Sequence, residues 1–234
     1  MTTVVLLRHG RTAANSGGVL AGWTEGVGLD DTGRQQASAA AARLAGVPLA
    51  AVVASPLQRC QETAQAVLDG RGQDLPFHTE ERLGEVRYGD WTGQPLKTLA
   101  KDPLWKVVQA HPSAVTFPGE GGEAMASMAQ RAVAAVRDWN ARLGSEAVWV
   151  AVSHGDVIKA IVADALGLHL DQFQRIVVDP ASVTVINYTE LRPFVVRVND
   201  SGTELSALLT PPPKKGRRTR KASSDAVVGG GAGA

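Results

Sequence analysis

A single cysteine, Cys60, stands in the whole chain, so no intrachain disulfide can form and neither a cysteine-rich zinc site nor a disulfide scaffold is available. No stretch approaches the ~18 uninterrupted apolar residues of a membrane-spanning helix. The N-terminus also lacks a basic segment followed by a long apolar run, the mark of an export signal. A soluble cytoplasmic protein with no membrane partner is the expectation. There is no Asp/Glu cluster for magnesium, no HExxH zinc pattern and no GxxxxGK[ST] loop. Metal-assisted and nucleotide-cradling chemistry therefore have little support, and no metal or other cofactor is expected. No internal repeat is apparent.

Net charge is nearly absent too, at +1 over 234 residues, but it hides an asymmetry. From Pro211 onward Lys214, Lys215, Arg217, Arg218, Arg220 and Lys221 stand against Asp225 alone, +5, which leaves the preceding body at −4. That body offers no global attraction to nucleic acid, so any anion site in it must be local. Residues 210–234, with Pro211-Pro212-Pro213, the basic run and Gly229-Gly230-Gly231, cannot supply a core and read as a disordered tail. A solvated tail is the ordinary fate of such a run; weak contact with nucleic acid or acidic surfaces is the minority reading, and no specific nucleic-acid partner is expected. Self-association is left open.

What is present is the patterning of an α/β protein. The 44% hydrophobic and 20% charged residues are ordinary globular values and exclude disorder throughout. The length suffices for one α/β domain, with two small domains the alternative. Thr3 to Leu7 reads as a strand buried on both faces, ending at Arg8, His9 and Gly10. Ala13 to Asp30 reads as a Gly-rich loop, and Asp30 as the N-cap of a helix running to Leu44. Leu49 to Ala54 is a second buried strand. Ser55-Pro56-Leu57-Gln58 then has the parts of a helix start: a Ser cap, Pro at the first position and Gln three residues after the cap.

Arg59 sits in the first turn of that helix, where backbone N–H groups already favour anions. Taken alone it is a surface arginine, but it shares a layer with Arg8 if the two strands are parallel neighbours. Leu75 to Thr79 reads as a short edge strand, and Glu80 to Gly93 as a mobile binding loop carrying Glu85. Leu96 to Ala110 is weakly helical and broken by Pro103, and a long amphipathic helix runs from Glu123 to Leu143. Ala147 to Ser153 is a third buried strand, ended by His154-Gly155 as the first is ended by His9-Gly10. A helix to Leu166 follows, then an antiparallel pair over Ser182–Tyr188 and Phe194–Val198. His154 alone would most simply be a core histidine.

Arg8, His9, Arg59 and His154, with Glu85, nevertheless form a strongly cationic set in an acidic body, and guanidinium forks suit phosphate oxygens. Leu7-Arg8-His9-Gly10-Arg11-Thr12 with Asn15 resembles the RHG motif of the histidine phosphatase superfamily, which includes cofactor-dependent phosphoglycerate mutases. The resemblance continues through Gly22-Trp23, Leu29, Gly33, Gln36-Ala37, Ser55-Pro56-Leu57 with Arg59, Glu85 with Tyr88-Gly89, and Ser153-His154-Gly155. It covers residues 2 to about 190. The resemblance implies a three-layer α/β/α sandwich with a mostly parallel central sheet, and a catalytic domain over residues 1–209.

It also implies roles. His9 matches the nucleophile that becomes a phosphohistidine, and Arg8, Arg59 and His154 match the groups holding the phosphoryl oxygens. Thr12, Asn15, Gly22, Tyr88 and Gly155 match phosphate or substrate contacts. Glu85 matches the proton donor, whose pKa would need raising by burial. The implied partner is a small phosphorylated metabolite, with specificity expected from loops around Trp23, Tyr88, Trp91 and the segment Trp105 to Phe117. Asp156 and Lys159 depart from the Gly and Arg of many members. The Gly22 to Leu29 stretch is one residue longer than in mutases. Only 68 residues separate Glu85 from His154, shorter than the water-excluding insert of phosphoglycerate mutases, which favours hydrolysis. The expected activity is thus metal-independent hydrolysis of phosphomonoesters, with a phosphomutase and a weakly catalytic phospho-ligand binding protein as rivals.

Overall fold

The computed structural model describes residues 1–71 and 74–202; the basic tail expected over residues 210–234 lies outside them. Among the described residues six strands form one sheet: β1 (Thr2–Arg8), β2 (Ala51–Ala54), β3 (Phe77–Thr79), β4 (Val148–Ser153), β5 (Val183–Tyr188) and β6 (Pro193–Asp200), in the order β3-β2-β4-β1-β5-β6. β1, β2, β3 and β4 run parallel, while β5 and β6 form the expected antiparallel edge. β1 and β2 are not neighbours, because β4 lies between them. The layer shared by Arg8 and Arg59 is therefore bridged by a third strand whose own end carries His154.

The apolar runs of the central strands are buried because both faces are covered. On one face Val4, Leu6, Trp149 and Ala151 pack with Met128, Val136, Ile158 and Ile161 of α6 (Met125–Leu143) and α7 (Gly155–Ala165). On the other, Val5, Leu7, Val150 and Val152 pack with Ala40, Ala41, Ala64 and Val67 of α2 (Asp31–Leu44) and α3 (Gln58–Asp69). The period of two along a strand sends alternate side chains to the two helix layers, which makes the three-layer α/β/α sandwich. Each fully buried Val or Leu contributes about 1.5–3 kcal/mol relative to exposure. Among the described residues no helix is long and apolar enough to cross a membrane.

Two of the local signals named in the sequence held. Asp30 accepts from the Gly33 N–H at 2.7 Å as the cap of α2, and Gly144, at φ 79°, ends α6. Two readings need correction. The stretch Ala13 to Asp30 is not all loop, because Thr12 and Asn15 form a capping box that starts the short α1 (Ala13–Gly17). Ser55 does not cap α3, which begins three residues later at Gln58 with Leu57 at the cap position. Its hydroxyl is drawn to another partner, described below. The interrupted helix divides at Asp102, which caps α5 (Pro103–Ala110) after the one-turn α4 (Leu96–Leu99).

Candidate active site

The parallel register of β1 on β4 pairs Arg8 with Ser153, so the residues that follow, His9 and His154, leave adjacent strands side by side. Their rings meet edge to face with centroids 5.2 Å apart. The His9 N–H donates to the Ser153 carbonyl at 3.0 Å. Arg8 is fully buried and its Nη1 donates to the Val178 carbonyl at 2.7 Å. Gly10 is required where the chain turns away: a Cβ there would lie 2.4 Å from the Gly33 carbonyl oxygen of α2. The Gly10 N–H donates to Thr63 of α3 at 3.1 Å, and Thr63 donates to the Arg59 carbonyl at 2.7 Å. Sheet end and helix start are thus locked together.

Arg59, in the first turn of α3, is 3% exposed. Its Nη2 donates to the Gly22 carbonyl at 2.9 Å, while its Nη1 is buried without a hydrogen-bond partner among the described residues. A buried guanidinium N–H left unmatched by protein is costly unless an anion meets it. Gly22 has φ 51°, and a Cβ there would sit 3.0 Å from the Tyr88 ring, so glycine lets its backbone reach Arg59.

The two histidines are held neutral. Burial first, then Arg59 and Arg8, push the His9 pKa well below the ordinary value; burial and Arg59 do the same to His154. The His9 Nδ1 lies 2.7 Å from the Gly10 carbonyl oxygen, an acceptor only, so Nδ1 carries the proton and Nε2 keeps its lone pair. His154 Nε2 faces a hydroxyl and a thiol. Ser55 Oγ, which accepts from the Leu57 N–H at 3.3 Å, lies 2.8 Å from Nε2, and Cys60 Sγ lies 3.4 Å from it. A Ser55 hydroxyl that donates to Nε2 corresponds to the tautomer with the His154 proton on Nδ1, which lies 3.9 Å from Glu85 Oε2. Burial pushes the Cys60 thiol up to about 12, so it stays protonated.

Glu85 is 3% exposed, and burial first, then the negative charge of Asp156, raise its pKa to about 7 against the pull of Arg59 and Arg8. Its loop is held by side chains from two other parts of the chain. Trp23 Nε1 donates to the Glu85 carbonyl at 2.7 Å. Arg131 of α6 donates to the carbonyls of Arg82, Gly84 and Glu85 while its own charge pairs with Glu123. Arg131 escaped the sequence reading because it lies far along the chain. The available signal was a cation in the core-facing stripe of α6, between Met128 and Ala135.

The remaining expected contacts divide. Gly155 opens α7 directly behind His154. Thr12 Oγ1 donates to Asn15 Oδ1 at 3.0 Å, so these two serve each other at the start of α1. Tyr88 is buried, and its hydroxyl donates to Asp156 Oδ2 at 3.1 Å. Trp91, Trp105 and Phe117, expected in specificity loops, belong to the core beside α6. Among the described residues no group of three or more His, Cys, Asp or Glu could hold a metal ion.

A neutral imidazole with its lone pair free, two buried guanidinium groups and a protonated carboxyl can together receive and transfer a phosphoryl group. The chain is similar, at 36% identity over 178 residues, to the glucosyl-3-phosphoglycerate phosphatase of Mycolicibacterium vanbaalenii, covering 73% of this chain and 76% of that one. It is 33% identical over 189 residues to the 2,3-bisphosphoglycerate-dependent phosphoglycerate mutase of Brucella anthropi, covering 74% of this chain and 85% of that one. Among solved structures it superposes on Bacillus stearothermophilus YhfR with a TM-score of 0.77 at 31% identity, covering 86% of this chain and 98% of the other. The family model that matches, over residues 4–201, is that of the histidine phosphatase superfamily, branch 1. The residues that converge at the ends of β1 and β4 thus belong to an enzyme of the histidine phosphatase superfamily, phosphoglycerate mutase-like in fold.

Proposed function

We propose that the protein hydrolyses small phosphomonoesters through a phosphohistidine on His9, with Glu85 as the proton donor and no metal ion. The observation that carries this is the pairing of a neutral His9, Nδ1–H on the Gly10 carbonyl, with a Glu85 carboxyl raised to about 7 in the same buried pocket. Nucleophile and acid are each in the protonation state the first step needs near neutral pH. His9 Nε2 attacks phosphorus and the ester P–O bond breaks, the Glu85 proton passing to the departing alkoxide. Arg8, Arg59 and His154 hold the three phosphoryl oxygens and stabilise charge spread over them in the in-line transfer. The buried Arg59 Nη1, which no described residue meets, suits that role. Water then gives a proton to Glu85 as its oxygen attacks phosphorus, the P–Nε2 bond breaks, and inorganic phosphate leaves with both side chains restored.

The phosphatase named among the relatives supports hydrolysis, and the mutase among them supports return of the phosphoryl group to an acceptor. One experiment separates these: single-turnover mass spectrometry in chelator with a panel including glucosyl-3-phosphoglycerate, phosphoserine and 3-phosphoglycerate, on wild type and His9→Ala. A phosphate adduct on wild type alone, followed by free phosphate, is expected. An adduct discharged only when acceptor sugars or acids are added makes the protein a mutase. Absence of both adduct and turnover across the panel overturns the enzymatic reading of the site, leaving a binding protein.

A further inference from the structure

Behind the phosphoryl pocket lies a second group of buried charges that the mechanism above does not use. Asp156, the second residue of α7, is fully buried, and Lys159, one turn on, is 5% exposed. Asp156 Oδ1 is 3.6 Å from Lys159 Nζ, and Oδ2 accepts from the Tyr88 hydroxyl at 3.1 Å. Lys159 Nζ also donates to Gln174 at 3.1 Å and lies 5.6 Å over the Phe173 ring. A buried ion pair contributes little net stability compared with apolar residues of similar volume, so folding alone gives this pair no clear purpose.

We infer that Asp156 is a positioning residue for Glu85, tying its loop to α7 through Tyr88 and setting beside its carboxyl a negative charge that Lys159 holds in place. The inference rests on the reading of Glu85 as proton donor. The mechanical half follows from spacing. Tyr88 stands three residues after Glu85, its ring meets Phe117 edge to face at 4.9 Å, and it also supports Gly22, whose carbonyl orients Arg59. The electrostatic half follows from the groups facing Glu85. Arg8 at the end of β1 and Arg59 on α3 favour its ionised form, as does the Val86 N–H of its own loop, which donates to Oε1 at 3.0 Å. His154, after β4, is neutral and 3.9 Å away, and Arg131 on α6 is spent on backbone carbonyls and Glu123. Tyr88 is kept protonated by burial and by Asp156. Asp156, on α7, is the anion that opposes the two arginines.

The test is the pH profile of kcat/KM for an alkyl phosphate and for p-nitrophenyl phosphate, whose phenolate leaves without a proton. The variants are E85Q, D156N and the double variant D156N/K159Q, which removes both charges while keeping volume and so guards against misfolding from an unpaired lysine. The basic limb of the alkyl profile is expected to vanish in E85Q and to move down by about one pH unit in D156N and in the double variant, so that at pH 7.5 alkyl turnover falls several-fold more than aryl turnover. If E85Q removes the limb but neither Asp156 variant moves it, or if both substrates lose equally at every pH, the role of Asp156 is overturned and that of Glu85 stands. If E85Q leaves the limb in place, both readings fall.

Discussion

Replacing Glu85 by glutamine should make the protein more stable at alkaline pH while removing its activity on alkyl esters. The carboxyl is 3% exposed, so solvent screens it little, and its pKa rises from 4.5 to about 7 through burial and the charge of Asp156. The folded chain therefore holds the proton more tightly than the unfolded chain. Its stabilising contribution is full below the unfolded value and is lost as pH rises through the folded one. At 1.36 kcal/mol per unit, the loss is about 3 kcal/mol above pH 7. Glutamine keeps the shape and can still accept from the Val86 N–H, without a charge to bury. Urea or thermal unfolding of both proteins should show no difference near pH 4 and a gap near pH 8 of about 3 kcal/mol, or roughly 6–12 °C in Tm for a domain of this size. The depressed pKa values of His9 and His154 cause stability to fall as pH drops below the ordinary histidine range. To first order that loss is common to both proteins and cancels in the difference. A gap that does not change with pH would refute the argument that Glu85 is buried as an acid.

Three further substitutions probe the rest of the site. Arg59→Lys, which cannot keep the Gly22 carbonyl and offer a second planar donor together, should lower kcat/KM by about 10²–10³-fold, while circular dichroism stays unchanged; a loss below threefold would remove Arg59 from the phosphoryl cradle. Gly10→Ala should cost about 1–3 kcal/mol or more in urea unfolding, because its Cβ meets backbone of α2 at 2.4 Å, whereas Gly46→Ala, with nothing within 4 Å, should stay within ~0.5 kcal/mol. Ser55→Ala should release the tautomer of His154 by removing the hydroxyl 2.8 Å from Nε2, lowering kcat about tenfold; ring nitrogen NMR shifts of His154 identical to wild type would show that Ser55 does not set it.

Much of this site was legible because its parts sit where one-dimensional signals are strong. Buried strands announce themselves as apolar runs, and what interrupts a run marks the strand end, which is how His9 and His154 stood out together. Asp30 and Gly144 were readable as a cap and a stop because such positions need particular side chains or a positive φ. Ser55 shows the limit of that reasoning. Its sequence context is that of a helix cap, but the β2–β4 register sets it beside His154, and a buried imidazole nitrogen outcompetes the helix for its hydroxyl. Trp91, Trp105 and Phe117 were misread for a related reason. Trp91 lies in a stretch without periodicity and Trp105 in a weakly helical one, yet the rings of Trp91, Trp105 and Phe117 meet one another in the core.

The chain alone therefore determined the buried strands, the long helices, the strand-end motif and the chemistry its residue types can perform, since these depend on local propensity and on side-chain identity. Strand order, the insertion of β4 between β1 and β2, the clamp of Arg131 on the Glu85 loop and the Tyr88–Asp156–Lys159 group were decided only by tertiary structure. The protonation states of His9, His154 and Glu85 belong with them. They arise from burial and from charges brought together from β1, α3, the Glu85 loop and α7, and no local pattern of residues encodes how far water is excluded.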